Sequence, residues 1–123
     1  MQFDGFTTQQ REAAIDLVVL TMYLDRNLAV VEDARIQRML EAMGFATAYD
    51  RSREFDAAVT RVRPHSETPG AARSHAGRLA EHLATPEQRR IVFHAMEDIV
   101  SADGSVSPSE TAFLETLRGM LKV

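Results

Sequence analysis

The sequence predicts an all-α fold, a compact six-helix domain spanning residues 1–123. Three observations point there. Apolar residues recur at helical spacing in successive stretches. Four of those stretches open on a Thr or Ser followed by Pro or, three residues on, by Gln or Glu, the signature of a helix start. No stretch shows strand alternation with turn signals on both sides.

The elements follow in order. Thr7-Thr8-Gln9-Gln10 is a capping box, with Thr7 as N-cap and Gln10 at the third helical position. Ala14, Ile15, Leu17, Val18, Met22 and Leu24 behind it predict a helix over about 8–24. Ile36, Met39, Leu40 and Met43 predict a second over about 31–43, stopped by Gly44. Phe55, Val59 and Val62 share one face of a third, from Arg51 to Arg63, which Pro64 ends. Thr68-Pro69 opens an Ala-rich fourth helix over about 69–83. Residues 64–76 are rich in Pro, Gly, Ser and Ala and read as a mobile connection rather than a domain boundary. Thr85-Pro86-Glu87-Gln88 begins a fifth helix over about 86–101, carrying Ile91, Val92, Ala95, Met96, Ile99 and Val100. Ser107-Pro108-Ser109-Glu110 begins the last, with Phe113, Leu114, Leu117 and Leu121 inward. Short loops make neighbouring helices antiparallel.

Composition narrows the function classes. The 123 residues carry a net charge of −4, with 45% hydrophobic and 26% charged residues. A mildly acidic chain lacks the basic surface that grips nucleic acid. Arg61, Arg63, Arg73, Arg78, Arg89 and Arg90 are scattered among acids, without aromatic stacking partners, and read as a solvated surface. Cysteine is absent, which removes disulfides, thiolate metal sites and cysteine nucleophiles. The longest apolar run, Leu17 to Leu20, is far short of a membrane span, and no secretory signal is visible. The expectation is a cytoplasmic protein without membrane insertion. No nucleophile–base arrangement appears, so the chain is expected not to be an enzyme. The histidines at 65, 75, 82 and 94 read as surface residues, and the methionines at 22, 39, 43, 96 and 120 as core packing.

An internal repeat carries the chemistry. Asp25-Arg26-Asn27-Leu28-Ala29-Val30-Val31-Glu32 aligns without a gap on Asp103-Gly104-Ser105-Val106-Ser107-Pro108-Ser109-Glu110, 78 positions later. The flanking apolar residues keep register: Ile15 with Phe93, Val18 with Met96, Met39 with Leu117, Met43 with Leu121. The domain therefore reads as two pseudo-repeated helix–loop–helix pairs with two helices between them.

Two readings of these loops stand side by side. In the second unit, helix capping explains everything: Asp103-Gly104 turns the chain, Ser107 caps, Pro108 follows, and Glu110 reaches back. In the first unit that grammar is mostly gone, with Ala29, Val30 and Arg26 in place of Ser107, Pro108 and Gly104, yet Asp25 and Glu32 persist. The helix dipole favours an acid at a first turn, but disfavours Asp25 at the end of a helix. A hard cation would reverse that preference, since only oxygen donors are on offer. Asp25, Asn27 and Glu32 would form one ligand set, and Asp103, Ser105 and Glu110 the other, for Ca2+ or Mg2+. The spacing is not that of an EF-hand, whose loop ends in Glu at the twelfth position; Glu110 is the eighth residue from Asp103. The alternative is a metal-free protein-interaction or self-association module whose acidic loop residues only cap helices.

The run from Ile99 through Ala102-Asp103-Gly104, Val106 and Glu110 to Phe113 and Leu114 resembles the tellurite-resistance TerB family. The mark of that family is an Ala-Asp-Gly-x-Val-x-x-x-Glu stretch between two helices. The first unit looks like its degenerate partner, with Arg26 where the motif has glycine. The resemblance implies an all-helical fold of two related halves, divalent-cation binding by an acidic cluster, a stress-response role and no enzymatic activity. Carried over by position, the acids are Asp103 and Glu110, and in the first unit Asp25 and Glu32. A protein partner of unknown identity or a homo-oligomer is the expected association.

Overall fold

The computed structural model describes residues 3–23, 30–101 and 108–123. Within them the chain is helical throughout: α1 (Thr8–Tyr23), α2 (Val30–Ala42), α3 (Ala48–Val62), a 3-10 turn (Arg63–His65), α4 (Pro69–Ala80), α5 (Pro86–Val100) and α6 (Pro108–Leu121). No strand occurs among the described residues.

The caps form as local chemistry requires. The Thr7 hydroxyl accepts from the Gln10 amide at 3.1 Å, and Gln10 Oε1 accepts from the Thr7 amide at 2.9 Å. Thr68 accepts from the Ala71 amide and Thr85 from the Gln88 amide, each at 3.1 Å. Gln88 completes the second capping box. Each bond satisfies a first-turn N–H that has no partner within its helix. The end of α2 is equally local. Gly44 takes φ +109°, the Phe45 amide donates to the Leu40 carbonyl, and the Gly44 amide donates to that of Glu41. That is the Schellman pattern, which needs glycine because a side chain is strained at this φ.

Two boundaries differ from the sequence reading. The third helix starts at Ala48 rather than Arg51, because Thr47 caps it through the Asp50 amide. Arg51, then in the first turn, donates to the carbonyls of Phe45 and Ala46 and to Gln37 Oε1. It ties the α2–α3 corner together. The fourth helix begins at Pro69 as expected but ends at Ala80 rather than about 83; in the connection before it Pro64 sits inside the 3-10 turn, and Ala72 and Ala76 of α4 are fully buried. Alanines that look weakly apolar let α4 approach its neighbours closely.

α1 is the axis of the molecule. Every residue from Ala13 to Met22 is buried, Asp16 and Thr21 included. An amphipathic helix buries one stripe; a helix buried on all sides has neighbours all round. α3, α4, α5 and α6 all pack on it. One contiguous apolar cluster joins Ile15, Leu17 and Leu20 of α1 to Ile36 and Leu40 of α2, Val62 of α3, Leu79 of α4, Met96 and Ile99 of α5 and Leu117 of α6. Met22, Met39, Met43 and Met96 lie in it, as their spacing predicts.

Asp16 has a defined partner. It receives Arg61 from α3 side-on, with Nε to Oδ2 at 3.0 Å and Nη2 to Oδ1 at 2.9 Å. This two-point geometry is the strongest an Arg–carboxylate pair adopts. Burial raises the Asp16 carboxyl above its ordinary range, and Arg61 offsets only part of that rise. Arg61 in turn is held more firmly protonated by its bond to Asp16.

No helix among the described residues is long and apolar enough to cross a membrane.

Candidate functional site: the interhelical corners

The candidate acids flank the α1–α2 and α5–α6 connections at similar chain positions. Glu32 is the third residue of α2 and Glu110 the third of α6. Asp25 follows the end of α1 by two positions, and Asp103 follows the end of α5 by three. Each corner thus sets an acid just beyond a helix C-terminus and another in the first turn of the next helix.

Of the six candidate ligands, Asp25, Asn27, Asp103 and Ser105 lie outside the described residues. The backbone of Glu32 is helical, and its side chain also lies outside them. Glu110 is described, and it is 1% exposed. That separates it from the residues at the same position in the two capping boxes, since Gln10 and Gln88 are partly exposed. A helix N-terminus favours a nearby carboxylate by about 0.3–1 kcal/mol at a surface. Taking a carboxylate out of water costs several kcal/mol. Burial of Glu110 therefore calls for more compensation than the dipole gives, in hydrogen-bond donors or in a cation. Among the described residues no group of three or more His, Cys, Asp or Glu is placed to hold a metal ion.

The acids at the end of α5 face elsewhere. Asp98 forms an ion pair with Arg35 of α2. Glu97 lies 3.6 Å from Arg118 Nη2 of α6 and 3.2 Å from His94 Nδ1. Arg118 also lies over the Phe93 ring at 5.2 Å. Both carboxylates serve as clamps between helices, Asp98 from α5 to α2 and Glu97 from α5 to α6.

Two histidines depart from the surface reading. His65 of the 3-10 turn and His75 of α4 stack at 3.8 Å, with their planes 9° apart. Both are partly buried, and the His75 ring nitrogens are buried without a hydrogen-bond partner among the described residues. Burial first, then His65 and Arg78, lower the His75 pKa. The signal missed was the turn at Pro64, which folds His65 back onto α4. His82 and His94 are exposed as expected. So are Arg63, Arg73, Arg78 and Arg90, whereas Arg61 holds Asp16 and Arg89 donates to the Leu83 carbonyl.

These features define an all-helical domain with acidic residues at two interhelical corners. A family model described as Tellurite resistance protein TerB matches residues 11–123. The chain belongs to the TerB family. No curated protein and no solved structure matches it.

Proposed function

We propose that this chain is a non-enzymatic, cytoplasmic module that binds a divalent cation, Ca2+ or Mg2+, at its interhelical corners and serves a stress response. Asp103, Ser105 and Glu110 are one ligand set, and Asp25, Asn27 and Glu32 the other. The recurring acids carry this reading: Asp25 with Glu32, and Asp103 with Glu110, stand at one spacing around the two interhelical connections. An all-oxygen donor set suits hard cations. Family membership supports the stress-response part, through its description as a tellurite-resistance protein. The ion's work would be structural. By neutralising the corner acids it stabilises the fold by mass action, by about 2.7 kcal/mol at a hundredfold excess over Kd.

Calorimetric titration of metal-stripped protein with Ca2+ and Mg2+ tests this. A saturable heat with a rise in Tm is expected, lost in Asp103→Asn and weakened in Asp25→Asn. No heat and no Tm change at millimolar ion would overturn it.

One observation favours the metal-free interaction module. Thr7, Thr47, Thr68 and Thr85 all cap their helices as their positions demand, so capping is the habit of this chain. Under that reading Ser107→Ala destabilises the protein by about 1 kcal/mol, while Asp25→Asn changes neither stability nor ion response.

A further inference from the structure

We propose that the hollow between α2 and α5 binds a small organic monoanion with an apolar body, of the class of aryl or short alkyl carboxylates. The hollow has a volume of about 500 Å3, within the roughly 300–1,000 Å3 of small-molecule sites. Its apolar lining comes from Phe3, Met39 and Ile99, all buried core residues. Ala42 on α2 and Ala95 on α5 also line it, and their short side chains leave the space open. Glu110, the corner acid whose side chain is described, does not line it.

The polar lining selects the ligand's charge. Arg35 and Arg38 enter from α2, one turn apart, and Asp98 and His94 from α5. Asp98 pairs with Arg35 and holds that guanidinium across the helix contact. Arg38 makes no hydrogen bond or ion pair among the described residues, although a guanidinium has five N–H donors. Among the described lining residues two guanidiniums stand against one carboxylate. A ligand carboxylate would accept from Arg38, with Arg35 beside it, while its apolar body covers Met39, Ala95 and Ile99. An inorganic anion would leave that lining bare, and a neutral apolar molecule would leave Arg38 unanswered.

NMR titration of the metal-free protein with 3-phenylpropionate tests the proposal, with 3-phenylpropanamide and acetate as probes lacking the charge or the ring. Saturable shifts are expected at amides of residues 35–42 and 94–99. Both control probes are expected to bind at least about tenfold more weakly, the worth of a charged hydrogen bond or of a buried ring. Arg38→Gln is expected to weaken binding about tenfold by removing the charge. Ala95→Leu, which fills the hollow and leaves charge unchanged, should weaken it at least as much. Arg73→Gln on α4 should bind as the parent does. Circular dichroism and Tm confirm that each variant is folded. No saturation by about 10 mM, a weak-binding limit, would overturn the proposal. So would equal binding of the amide, shifts centred on other helices, or unchanged affinity in both Arg38→Gln and Ala95→Leu.

Discussion

Gln10 and Gln88 exchange hydrogen bonds through their side-chain amides across the start of α1 and the start of α5. Gln10 Nε2 donates to Gln88 Oε1 at 3.3 Å, and Gln88 Nε2 donates to Gln10 Oε1 at 3.2 Å. Each Oε1 also accepts the backbone N–H of its own N-cap, from Thr7 at 2.9 Å and from Thr85 at 3.4 Å. Two capping boxes are thereby locked to each other. The residues are 78 apart, the same separation that aligns the two acidic corners. The reciprocal bonds tie the start of α1 to the start of α5.

That lock is testable by a double-mutant cycle. Gln88→Ala removes a cap and a cross-helix pair, and is expected to cost about 1–2 kcal/mol at net values near 1 kcal/mol per bond. With Gln10→Ala the costs should fall short of additivity by about 0.5–1 kcal/mol. Urea denaturation measures both. Full additivity would show that the amides stabilise only their own helices.

The Asp16–Arg61 pair should respond asymmetrically. Arg61→Ala leaves a buried carboxylate alone and is expected to cost roughly 2–3 kcal/mol, below the 3–5 kcal/mol of a fully buried pair, because the Arg61 side chain is 34% exposed. Asp16→Leu combined with Arg61→Met should recover most of that loss, since an apolar pair carries no desolvation cost. Thermal melts of the two variants decide it. A double variant no more stable than Arg61→Ala would contradict this account.

His75 gives stability a pH dependence of known sign. Its folded pKa lies below the ordinary 6.5, through burial, His65 and Arg78, so the folded state prefers the neutral ring. The unfolded chain therefore takes up a proton first as pH falls. The contribution is fully present above 6.5 and is lost as pH drops through that value toward the folded pKa. Denaturation at several pH values between about 7.5 and 5 should show falling stability, with a shallower slope in His75→Phe, which keeps a stacking ring without a titrating group. An unchanged slope would show that His75 titrates alike in both states.

Glu110→Gln separates the two roles of the second corner. If a cation binds there, the variant loses the Tm rise on adding Ca2+ or Mg2+, because a neutral amide is a poorer ligand for a hard cation than a carboxylate. If Glu110 only caps, metal-free stability falls by about 1 kcal/mol, as loss of a charge-assisted bond predicts. Tm measured with and without ion distinguishes these results.

The sequence by itself determined what is decided within one helical turn. Thr7 with Gln10, Thr85 with Gln88, Thr68 before Pro69 and Gly44 after α2 were all legible, because a cap is a bond between residues three or so apart. The Thr47 cap was equally local, but it lies ahead of the apolar face that marked the third helix at Arg51. The paired spacing of Asp25 with Glu32 and of Asp103 with Glu110 was legible as a repeat. Only the tertiary structure decided which helices would enclose α1. α3, α4, α5 and α6 surround it, and the buried Asp16 meets Arg61, 45 residues away. The same holds for the His65–His75 stack, for the link between Gln10 and Gln88, and for the pairing of Asp98 with Arg35 of α2. Each joins groups on separate elements. Their meeting depends on how helices pack, and helix packing is governed by buried area and shape, which no short window of residues contains.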